Sequence, residues 1–372
     1  MSRPRFTPLV QRLPSTVPFV GPETQERAMG RPFKARIGAN ESVFGPSPAA
    51  VAAMQAAAPD VWMYADPTHL SLREALSEKH GVPMENIVVG DGIDGLLGLL
   101  VRVLVSDGTP VVTSRGAYPT FNYHVVSFGG RLVQVPYRDD HEDPDALVAA
   151  AHETGAPLVY LANPDNPMGS WHGAEVVEAM LDRLPEGCVL CLDEAYIEFA
   201  PDGTAPRIDP EDDRVIRMRT FSKAQGMAGA RVGYAIGSRR MIEAFGKVKN
   251  HFGMARLSLV GAEAAARDPD WIGHVRREVV AARARIGAIA QANGLTALPS
   301  ATNFVAVDCG GDGDFAKAVL AGLIERGVFV RMPFAEPENR CIRISAGTPE
   351  MLDVLEAALP EALAEARAAA GA

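Results

Sequence analysis

Short apolar runs recur through the middle of this sequence, and most are separated by stretches with the composition of helices. Runs that are apolar at every position are typical of strands buried on both faces of a parallel sheet. The sequence therefore predicts an α/β fold with helices on both faces of a mostly parallel, seven-stranded sheet. The predicted strands are Ile87–Val89, Pro110–Thr113, Leu132–Val135, Leu158–Leu161, Val189–Leu192, Val215–Met218 and Val232–Ile236. The predicted helices between them are Asp94–Val105, Pro119–Phe128, Asp143–His152 and Gly173–Leu184.

The pattern changes beyond residue 250, where a smaller second unit is predicted. We predict a large α/β domain at residues 50–289 and a small α+β domain at residues 36–49 and 290–372. The elements predicted here are a long helical stretch at Ser258–Asn293, a strand at Asn303–Asp308, a helix at Asp314–Arg326, strands near Val328–Arg331 and Cys341–Ser345, and a helix from Pro349.

The first 35 residues are rich in proline and show no sustained periodicity, so they are predicted to form an extended N-terminal arm. Because no continuous apolar stretch occurs in the first thirty residues, we expect no secretory signal. Scattered apolar side chains favour docking of the arm on the body or on a partner subunit over a disordered tail: Leu9, Val10, Phe19 and Val20.

The charge balance and the hydropathy exclude two classes of partner. The 372 residues carry a formal net charge of −10, which disfavours binding to nucleic acid or to an anionic membrane. No apolar run reaches the length of a membrane-spanning helix. We therefore expect a cytoplasmic enzyme that acts on small molecules.

The four cysteines are too few and too scattered for a disulfide scaffold. Cys188 and Cys191 form a C-x-x-C motif, but this motif lies inside an apolar run. We interpret both as buried strand residues, with a redox or metal pair as the alternative, and predict no metal site.

Lys223 has the most distinctive chemistry in the stretch Arg219–Gly237, between two predicted strands. The chain contains six lysines and thirty arginines, so a surface cation is usually arginine here. Lysine, unlike arginine, can lose its proton and attack a carbonyl as an amine. Its position beside Ser222 and eight residues before Arg231 suggests a Schiff-base lysine under a phosphate-bearing aldehyde. A solvated loop lysine is the alternative.

Chemically useful side chains follow several other predicted strands, at the carboxyl ends where α/β sheets bind ligands. The glycine turn Gly90–Asp94 opens a helix and offers backbone N–H groups to an anion, unless it is an ordinary tight turn. Tyr118 could stack on a flat ring or fill the core, and two Asn-Pro steps present Asn166 above the sheet. Asp193 ends a buried strand, where its carboxylate needs a partner such as a protonated pyridine nitrogen.

Taken together, these motifs match a known family. Asn166-Pro-Met-Gly, Asp193-Glu-Ala-Tyr and Ser222-Lys223 followed by Arg231 resemble the fold-type-I aminotransferases that use pyridoxal 5′-phosphate. From about Arg36 to the C-terminus the chain is similar to the histidinol-phosphate aminotransferase branch. The matching segments are A-N-E-S-V-F-G-P-S-P, Y-A-D-P, G-D-G-I-D, N-P-D-N-P-M-G, D-E-A-Y-I-E-F, R-T-F-S-K-A-Q-G-M-A-G-A-R-V-G-Y and I-R-I-S-A-G-T.

The resemblance implies the catalytic residues Lys223, Asp193 and Tyr196. Lys223 would bond to the cofactor aldehyde and then move the proton between the substrate and the cofactor. Asp193 would keep the pyridine nitrogen protonated, so that the ring accepts electrons. Tyr196 and Asn166 would hydrogen-bond the phenolic oxygen of the ring.

The resemblance also implies how the rest of the cofactor is held. Tyr118 and Ala195 would pack on the two faces of the ring, and Tyr64 would reach the phosphate of the neighbouring subunit in a homodimer. The phosphate ligands of the same subunit would be Ser222, Arg231 and the amides of Gly92, Ile93 and Asp94.

For the substrate, the resemblance implies four residues. Arg343 corresponds to the arginine that binds the substrate anion, and Asn166 is implied to contact the substrate as well as the cofactor. Arg331 matches a second arginine for a substrate phosphate, with a surface arginine as the alternative. Asn40 lies in the N-E-N-P loop of the family, although Ser-Val replaces the usual Asn-Pro here.

Other departures from the family pattern are predicted to fall around the substrate pocket. Gln225 stands where phenylalanine is common, and Met168 where threonine is common. The segment His251–Ser258 replaces the usual P-Y-N-V-N and adds Arg256. These changes leave the cofactor set intact and put the substrate in doubt.

The resemblance implies an aminotransferase of amino-acid biosynthesis. It would move an amino group between an amino acid or an amino-alcohol phosphate, such as histidinol phosphate, and a 2-oxo acid such as 2-oxoglutarate. One alternative with the same cofactor is a decarboxylase of a phosphorylated amino acid. The other is a non-catalytic regulator, but such proteins usually carry a fused basic DNA-binding domain, for which 35 residues are too short.

Overall fold

The computed structural model describes residues 4–14 and 20–371. Its strands are β1 (Ala35–Arg36), β2 (Ile87–Gly90), β3 (Pro110–Ser114), β4 (Arg131–Val135), β5 (Leu158–Ala162), β6 (Val189–Asp193), β7 (Val215–Thr220), β8 (Gly233–Gly237), β9 (Thr296–Ala297), β10 (Phe304–Asp308), β11 (Val328–Phe329) and β12 (Cys341–Ser345).

The helices connect these strands and cover them. They are α1 (Pro8–Arg12), α2 (Pro22–Met29), α3 (Pro48–Ala57), α4 (Leu70–His80), α5 (Gly92–Leu104), α6 (Pro119–Ser127), α7 (Pro144–Thr154), α8 (Ala174–Leu181), α9 (Arg239–Gly246), α10 (Arg256–Ala266), α11 (Pro269–Ala292), α12 (Gly313–Glu325) and α13 (Pro349–Ala370). Short 3₁₀ turns lie at Ala58–Asp60, Met84–Asn86, Ile197–Phe199, Ala228–Ala230 and Glu338–Arg340.

The main sheet has seven strands in the order β2-β8-β7-β6-β5-β3-β4. The five strands from β7 to β4 are mutually parallel, and β8 runs antiparallel to both of its neighbours. One apolar core packs this sheet against α5, α6 and α9, and a second packs its other face against α7 and α8. The predicted α/β fold with a mostly parallel, seven-stranded sheet is therefore confirmed.

Two smaller sheets are formed mainly by strands that follow α11. Strands β12, β10 and β9 form an antiparallel sheet, and β1 pairs in parallel with β11. Helices α11, α12 and α13 pack on these strands around one apolar core, which also includes Ala35 and Ile37. Because β1 contains Ala35, the strand crosses the predicted limit between the arm and the small domain. The predicted domain boundaries themselves stay predictions.

The N-terminal arm is not extended as predicted, because its prolines start two short helices. Thr7 caps α1, accepting a hydrogen bond from the N–H of Val10 at 3.3 Å, and Pro8 follows it. Pro22 begins α2, and Gly30 ends it in the left-handed conformation at φ 69°. Residues 1–3 and 15–19, including Phe19, lie outside the described residues.

The long helix predicted at Ser258–Asn293 is divided into α10 and α11. Pro269 lacks the N–H that would continue α10, and it occupies the first turn of α11. Asp268 caps this second helix by accepting a hydrogen bond from the N–H of Trp271 at 3.2 Å. The break separates α10, which packs on α3 and α4, from α11, which packs on β9 and β10.

Cys188 and Cys191 are both buried, as predicted, at 2% and 0% exposure. Within the described residues, no group of histidine, cysteine and acidic side chains is arranged to hold a metal ion. No helix in that part of the chain is both long enough and apolar enough to cross a membrane.

Candidate active site

A cavity of about 750 Å³ opens at the carboxyl ends of β5, β6 and β7. Most of the residues predicted for the site line this cavity, although they come from segments far apart in the chain. Of the predicted residues, Gly92 and Tyr64 are not on its wall. Those on the wall are Asn40, Ile93, Asp94, Tyr118, Asn166, Asp193, Ala195, Tyr196, Ser222, Lys223, Arg231, Arg331 and Arg343.

Lys223 lies in the loop that follows β7 and points its amine into the cavity. Its Nζ donates a hydrogen bond to the carbonyl oxygen of Asn40 at 3.1 Å and lies 5.4 Å from the centroid of the Tyr196 ring. The loop passes very close to another segment at Gly226, where φ is +66° and a Cβ would lie 2.1 Å from the Gly45 oxygen. Only glycine fits there, and this close approach fixes the course of the loop that carries the amine.

Asp193 ends β6 and is 5% exposed. One carboxyl oxygen accepts a hydrogen bond from the Tyr160 hydroxyl at 2.7 Å, and the other accepts one from the N–H of Ala195 at 3.0 Å. Burial raises the pKa of Asp193 to about 6, and these hydrogen bonds oppose that rise. A cationic partner in the cavity would favour the ionised form.

Asn40 links Lys223 to Tyr196 from the loop after β1. It adopts the left-handed conformation at φ 56°. Its side-chain amide donates to the Tyr196 hydroxyl at 3.0 Å, and its Oδ1 accepts from the Ser345 hydroxyl at 3.0 Å. Both polar atoms of the Asn40 side chain are thus bonded to protein, and the residue is 2% exposed. Its geometry is that of a support for Lys223 and Tyr196.

An anion cradle lies where α5 begins. Gly92 adopts φ +88°, and a Cβ at this position would lie 2.3 Å from the guanidinium of Arg231. Arg231 donates to the hydroxyl of Ser222 at 3.3 Å and lies 3.5 Å from the carboxylate of Asp94. The N–H groups at the start of a 13-residue helix, next to an arginine and a hydroxyl, are donors of the kind that can bind an anion such as phosphate.

Tyr118 and Asp94 join this cradle to the rest of the cavity. The Tyr118 hydroxyl donates to Asp94 at 2.9 Å, which fixes the ring on the cavity wall. Burial, with the nearby Asp94 charge, raises the pKa of Tyr118, so the hydroxyl stays protonated.

Two arginines line the cavity, one in β12 and one in the segment after β11. Arg343, in β12, donates through Nη1 to the side-chain oxygen of Asn166, and burial lowers its pKa to about 10. Its Nε is buried with no hydrogen-bond partner among the described residues. Arg331 donates to the carbonyl of Val20 at 2.9 Å, which brings the segment before α2 to the cavity rim. An arginine with an unsatisfied buried donor can bind an anionic ligand.

Tyr64 lies away from this cavity, on an exposed surface. Its side chain is 76% exposed and packs on Phe252, with ring centroids 4.7 Å apart. Arg256 holds the backbone below it by donating to the Tyr64 carbonyl at 2.8 Å. Tyr64 thus contacts Phe252 and Arg256 outside the cavity.

A sequence profile of the family described as aminotransferase class I and II matches residues 34–359, which is most of the chain. The chain belongs to this aminotransferase family. Histidinol-phosphate aminotransferase from Jannaschia sp. is 35% identical over 317 residues, covering 85% of this chain and 87% of the relative. The enzyme of the same name from Roseiflexus castenholzii is 34% identical over 363 residues, covering 95% and 97%.

Solved structures agree with the family assignment. Histidinol-phosphate aminotransferase from Sinorhizobium meliloti, determined in complex with pyridoxal-5′-phosphate, superposes with a TM-score of 0.95 at 53% identity and covers 98% of each chain. An aspartate aminotransferase from Thermus thermophilus shares the fold, with a TM-score of 0.79 at 22% identity. The predicted fold-type-I aminotransferase family is therefore confirmed.

Three departures from the family pattern lie away from this cavity, although they were predicted around the substrate pocket. Arg256 lies beside the exposed Tyr64 and does not line the cavity. Gln225 is 1% exposed and does not line the cavity, and its amide has no hydrogen-bond partner among the described residues. Met168 is also 1% exposed and packs with Ala306 and Cys341 behind the site. None of the three residues lines the cavity, so the prediction that they border the substrate pocket is wrong for this cavity.

Sequence reasoning missed three residues of the site. Tyr160 looks like any apolar residue of β5, and only the pairing of Tyr160 with Cys191 on β6 brings its hydroxyl to Asp193. Ser345 lies two residues after Arg343 in β12, and its hydroxyl donates to Asn40 in the loop after β1. Glu41 also lines the cavity, and its charge beside Asn40 was the available signal.

Proposed function

We propose that this aminotransferase uses pyridoxal 5′-phosphate to move an amino group between an amino-alcohol phosphate of the histidinol phosphate type and a 2-oxo acid. The observation that carries the proposal is one cavity holding the Lys223 amine, the buried Asp193 carboxylate and the anion cradle at the start of α5. The predicted cofactor agrees with the ligand of the Sinorhizobium meliloti structure, and the predicted substrate with the names of the relatives.

The residues present fit this cofactor. A Cβ at Gly92 would collide with the Arg231 guanidinium, so glycine leaves room for the cofactor phosphate beside that arginine. The Asp193 carboxylate can pair with a protonated pyridine nitrogen. Tyr118 and Ala195 are the proposed contacts on the ring faces. When bound, pyridoxal 5′-phosphate supplies an aldehyde for amines and a ring that stabilises negative charge at the α-carbon of the substrate.

Lys223 is the proposed acid and base of the reaction. Its Nζ accepts the proton from the α-carbon of the substrate and returns it on the cofactor side. The Asn40 carbonyl, 3.1 Å away, orients the amine throughout. Tyr196 donates its hydroxyl proton toward the phenolic oxygen of the ring, and Asn166 is the second proposed donor there.

The proposed substrate contacts are the two arginines. Arg343 has a buried Nε without a partner among the described residues, and its guanidinium lies 5.2 Å from the Phe304 ring, which limits its movement. Arg331 lies nearer the rim, beside the segment before α2. Two guanidinium groups on one side of the cavity are suited to a phosphate, which they can bind through paired N–H donors.

We also propose that the protein is a homodimer and that Tyr64 reaches the neighbouring site. Val61, Trp62, Tyr64 and Phe252 expose 64%, 79%, 76% and 56% of their surface, a cluster of apolar side chains typical of an interface. We expect sedimentation to give the mass of two chains, and Trp62→Glu to shift it to one. A wild-type monomer at micromolar concentration would contradict this. The cytoplasmic location stays a prediction.

The direct test of the function is amino transfer itself. Purified protein with pyridoxal 5′-phosphate is mixed with histidinol phosphate and 2-oxoglutarate, and glutamate formation is followed. We expect glutamate to accumulate and the visible absorbance of the bound cofactor to fall when histidinol phosphate is added alone. Release of carbon dioxide from a phosphorylated amino acid, without glutamate, would favour the decarboxylase alternative instead.

Replacing Asp193 with asparagine is expected to lower kcat about 100- to 1,000-fold, because the neutral side chain cannot stabilise charge on the ring nitrogen. The cofactor-free protein gives an independent readout. The pKa of Asp193 is raised from 3.8 to about 6 in the folded state, so the native state binds the proton more tightly. Protonation of Asp193 therefore stabilises the folded state. This stabilisation is greatest at low pH and is lost as pH rises from about 4 to about 6.

We accordingly expect the stability of Asp193→Asn relative to wild type to increase by up to about 3 kcal/mol between pH 4 and pH 7. Denaturant unfolding of both proteins without cofactor at several pH values measures this. Tyr160→Phe is the control that keeps the carboxylate but removes its hydrogen bond. A difference that stays constant with pH would contradict the raised pKa.

A further inference from the structure

The cavity wall contains an acidic side chain, Glu41, that has no place in the cofactor set or the substrate set. The backbone at this point is firmly held. The Asn40 carbonyl accepts hydrogen bonds from Lys223 and from Asn303, each at 3.1 Å, and the Glu41 carbonyl accepts from Asn303 at 3.4 Å. The backbone of Glu41 is therefore held in place next to the Asn40 carbonyl, which accepts the hydrogen bond from the Lys223 amine.

The other acidic groups on the wall are already partnered. Asp193 accepts hydrogen bonds from Tyr160 and Ala195, and Asp94 accepts one from Tyr118. Throughout residues 4–14 and 20–371, no side chain or backbone group forms a hydrogen bond or ion pair with the Glu41 carboxylate. This carboxylate is exposed to the cavity and remains available to a ligand.

Glu41 lies close to the groups proposed to bind anions. Burial lowers the pKa of Arg331, and the charge of Glu41 is the first influence opposing that change. A free carboxylate beside an anion-binding arginine weakens the binding of a purely anionic ligand, because like charges repel. The same carboxylate favours binding when the ligand also carries an N–H or ammonium group from which it can accept a hydrogen bond.

We propose that Glu41 is a specificity-determining residue that accepts a hydrogen bond from an N–H group on the side chain of the amino donor. This inference rests on the proposed function and names the substrate class more closely. The donor carries an anionic group for Arg343 and Arg331, and a ring N–H or a cationic group for Glu41. Donors with an acidic side chain are disfavoured by the same carboxylate.

The test compares two phosphates that differ in the ring N–H: histidinol phosphate and its phenyl counterpart, 2-amino-3-phenylpropyl phosphate. With cofactor-saturated enzyme, we expect Glu41→Ala to lower kcat/KM for histidinol phosphate about 10- to 100-fold. We expect kcat/KM for the phenyl compound to change less than about twofold, since its ring has no N–H that could donate to Glu41. Glu41→Gln, which removes only the charge, is expected to raise kcat/KM for glutamate.

The control is Glu186→Gln, which removes one negative charge from an exposed turn before β6, at the opposite edge of the sheet from the cavity. It is expected to leave all three kcat/KM values unchanged. Equal losses for both phosphates in Glu41→Ala, or no loss for histidinol phosphate, would overturn the role of Glu41.

Calorimetric dissociation constants separate this inference from the proposed function. The ratio of Kd values for the two phosphates is measured on wild type and Glu41→Ala. A wild-type preference for histidinol phosphate that disappears in the variant supports the proposal even if no glutamate forms, in which case the proposed function alone fails. An identical ratio in both proteins overturns the role of Glu41 whether or not the enzyme turns over.

Discussion

Replacing Lys223 with alanine is expected to lower the rate of amino transfer about 10,000-fold or more, because both the nucleophile and the proton carrier are lost. Lys223→Arg is the more informative variant. Arginine keeps the positive charge and can still donate to the Asn40 carbonyl, but it cannot lose its proton near neutral pH. We expect it to be as inactive as the alanine variant, with glutamate formation from histidinol phosphate as the measurement.

A matched control is available in Lys247→Ala. Lys247 is exposed at the end of α9, away from the cavity, and we expect full activity from this variant. Lys223→Arg with more than about one hundredth of wild-type kcat would show that the residue acts as a charge and not through its amine. Equal thermal unfolding temperatures of the variants would show that the loss is chemical.

The second large effect is on stability. Replacing Glu194 with glutamine is expected to lower the free energy of unfolding by about 3–5 kcal/mol, because two largely buried guanidinium groups lose their fully buried counter-charge. The Glu194 side chain is 0% exposed and lies 2.7 Å from Arg217 and 2.8 Å from Arg219, whose side chains are 15% and 12% exposed. Urea unfolding of the cofactor-free protein measures the difference.

The pH dependence of this loss distinguishes an ionic cause from a packing cause. Burial opposes ionisation of Glu194, but the charges and hydrogen bonds of Arg219 and Arg217 outweigh it and lower its pKa to about 2. The stabilisation is therefore complete above the usual pKa of 4.5 and is lost as pH falls toward about 2. The gap between wild type and Glu194→Gln should narrow over that interval.

The control for Glu194 is an exposed ion pair. Glu356 lies 2.9 Å from Arg285 and its side chain is 60% exposed, so Glu356→Gln should cost less than about 1 kcal/mol. A loss at Glu194 as small as that at Glu356 would contradict the view that the buried pairs hold the end of β7. Because β7 leads directly into the Lys223 loop, we expect Glu194→Gln also to weaken cofactor binding.

The alternation of apolar runs and helical stretches was enough to predict the architecture of this chain. Residues that are apolar at every position have no polar face to turn to water, so their strands must be covered on both sides. The motifs at the strand ends likewise predicted residues that meet in one cavity, since parallel strands end at the same edge of a sheet.

The break between α10 and α11, and the side chains that do not line the cavity, could not be predicted from the sequence in the same way. The helical composition around Asp268 continues on both sides of the break, and the capping hydrogen bond to Trp271 decided where α11 begins. Gln225 resembles a pocket residue by its place in the motif, but its side chain is buried and does not line the cavity.

The sequence by itself determined the sheet, the family and the chemical groups of the site, because these depend on side-chain types and on spacing along the chain. Only the tertiary structure decided which group supports which. Tyr160 meets Asp193 through strand pairing, and Asn40 meets Ser345 across 305 positions of sequence. A hydrogen bond between distant segments leaves no periodic trace in either segment, since each one satisfies its own local pattern without the other.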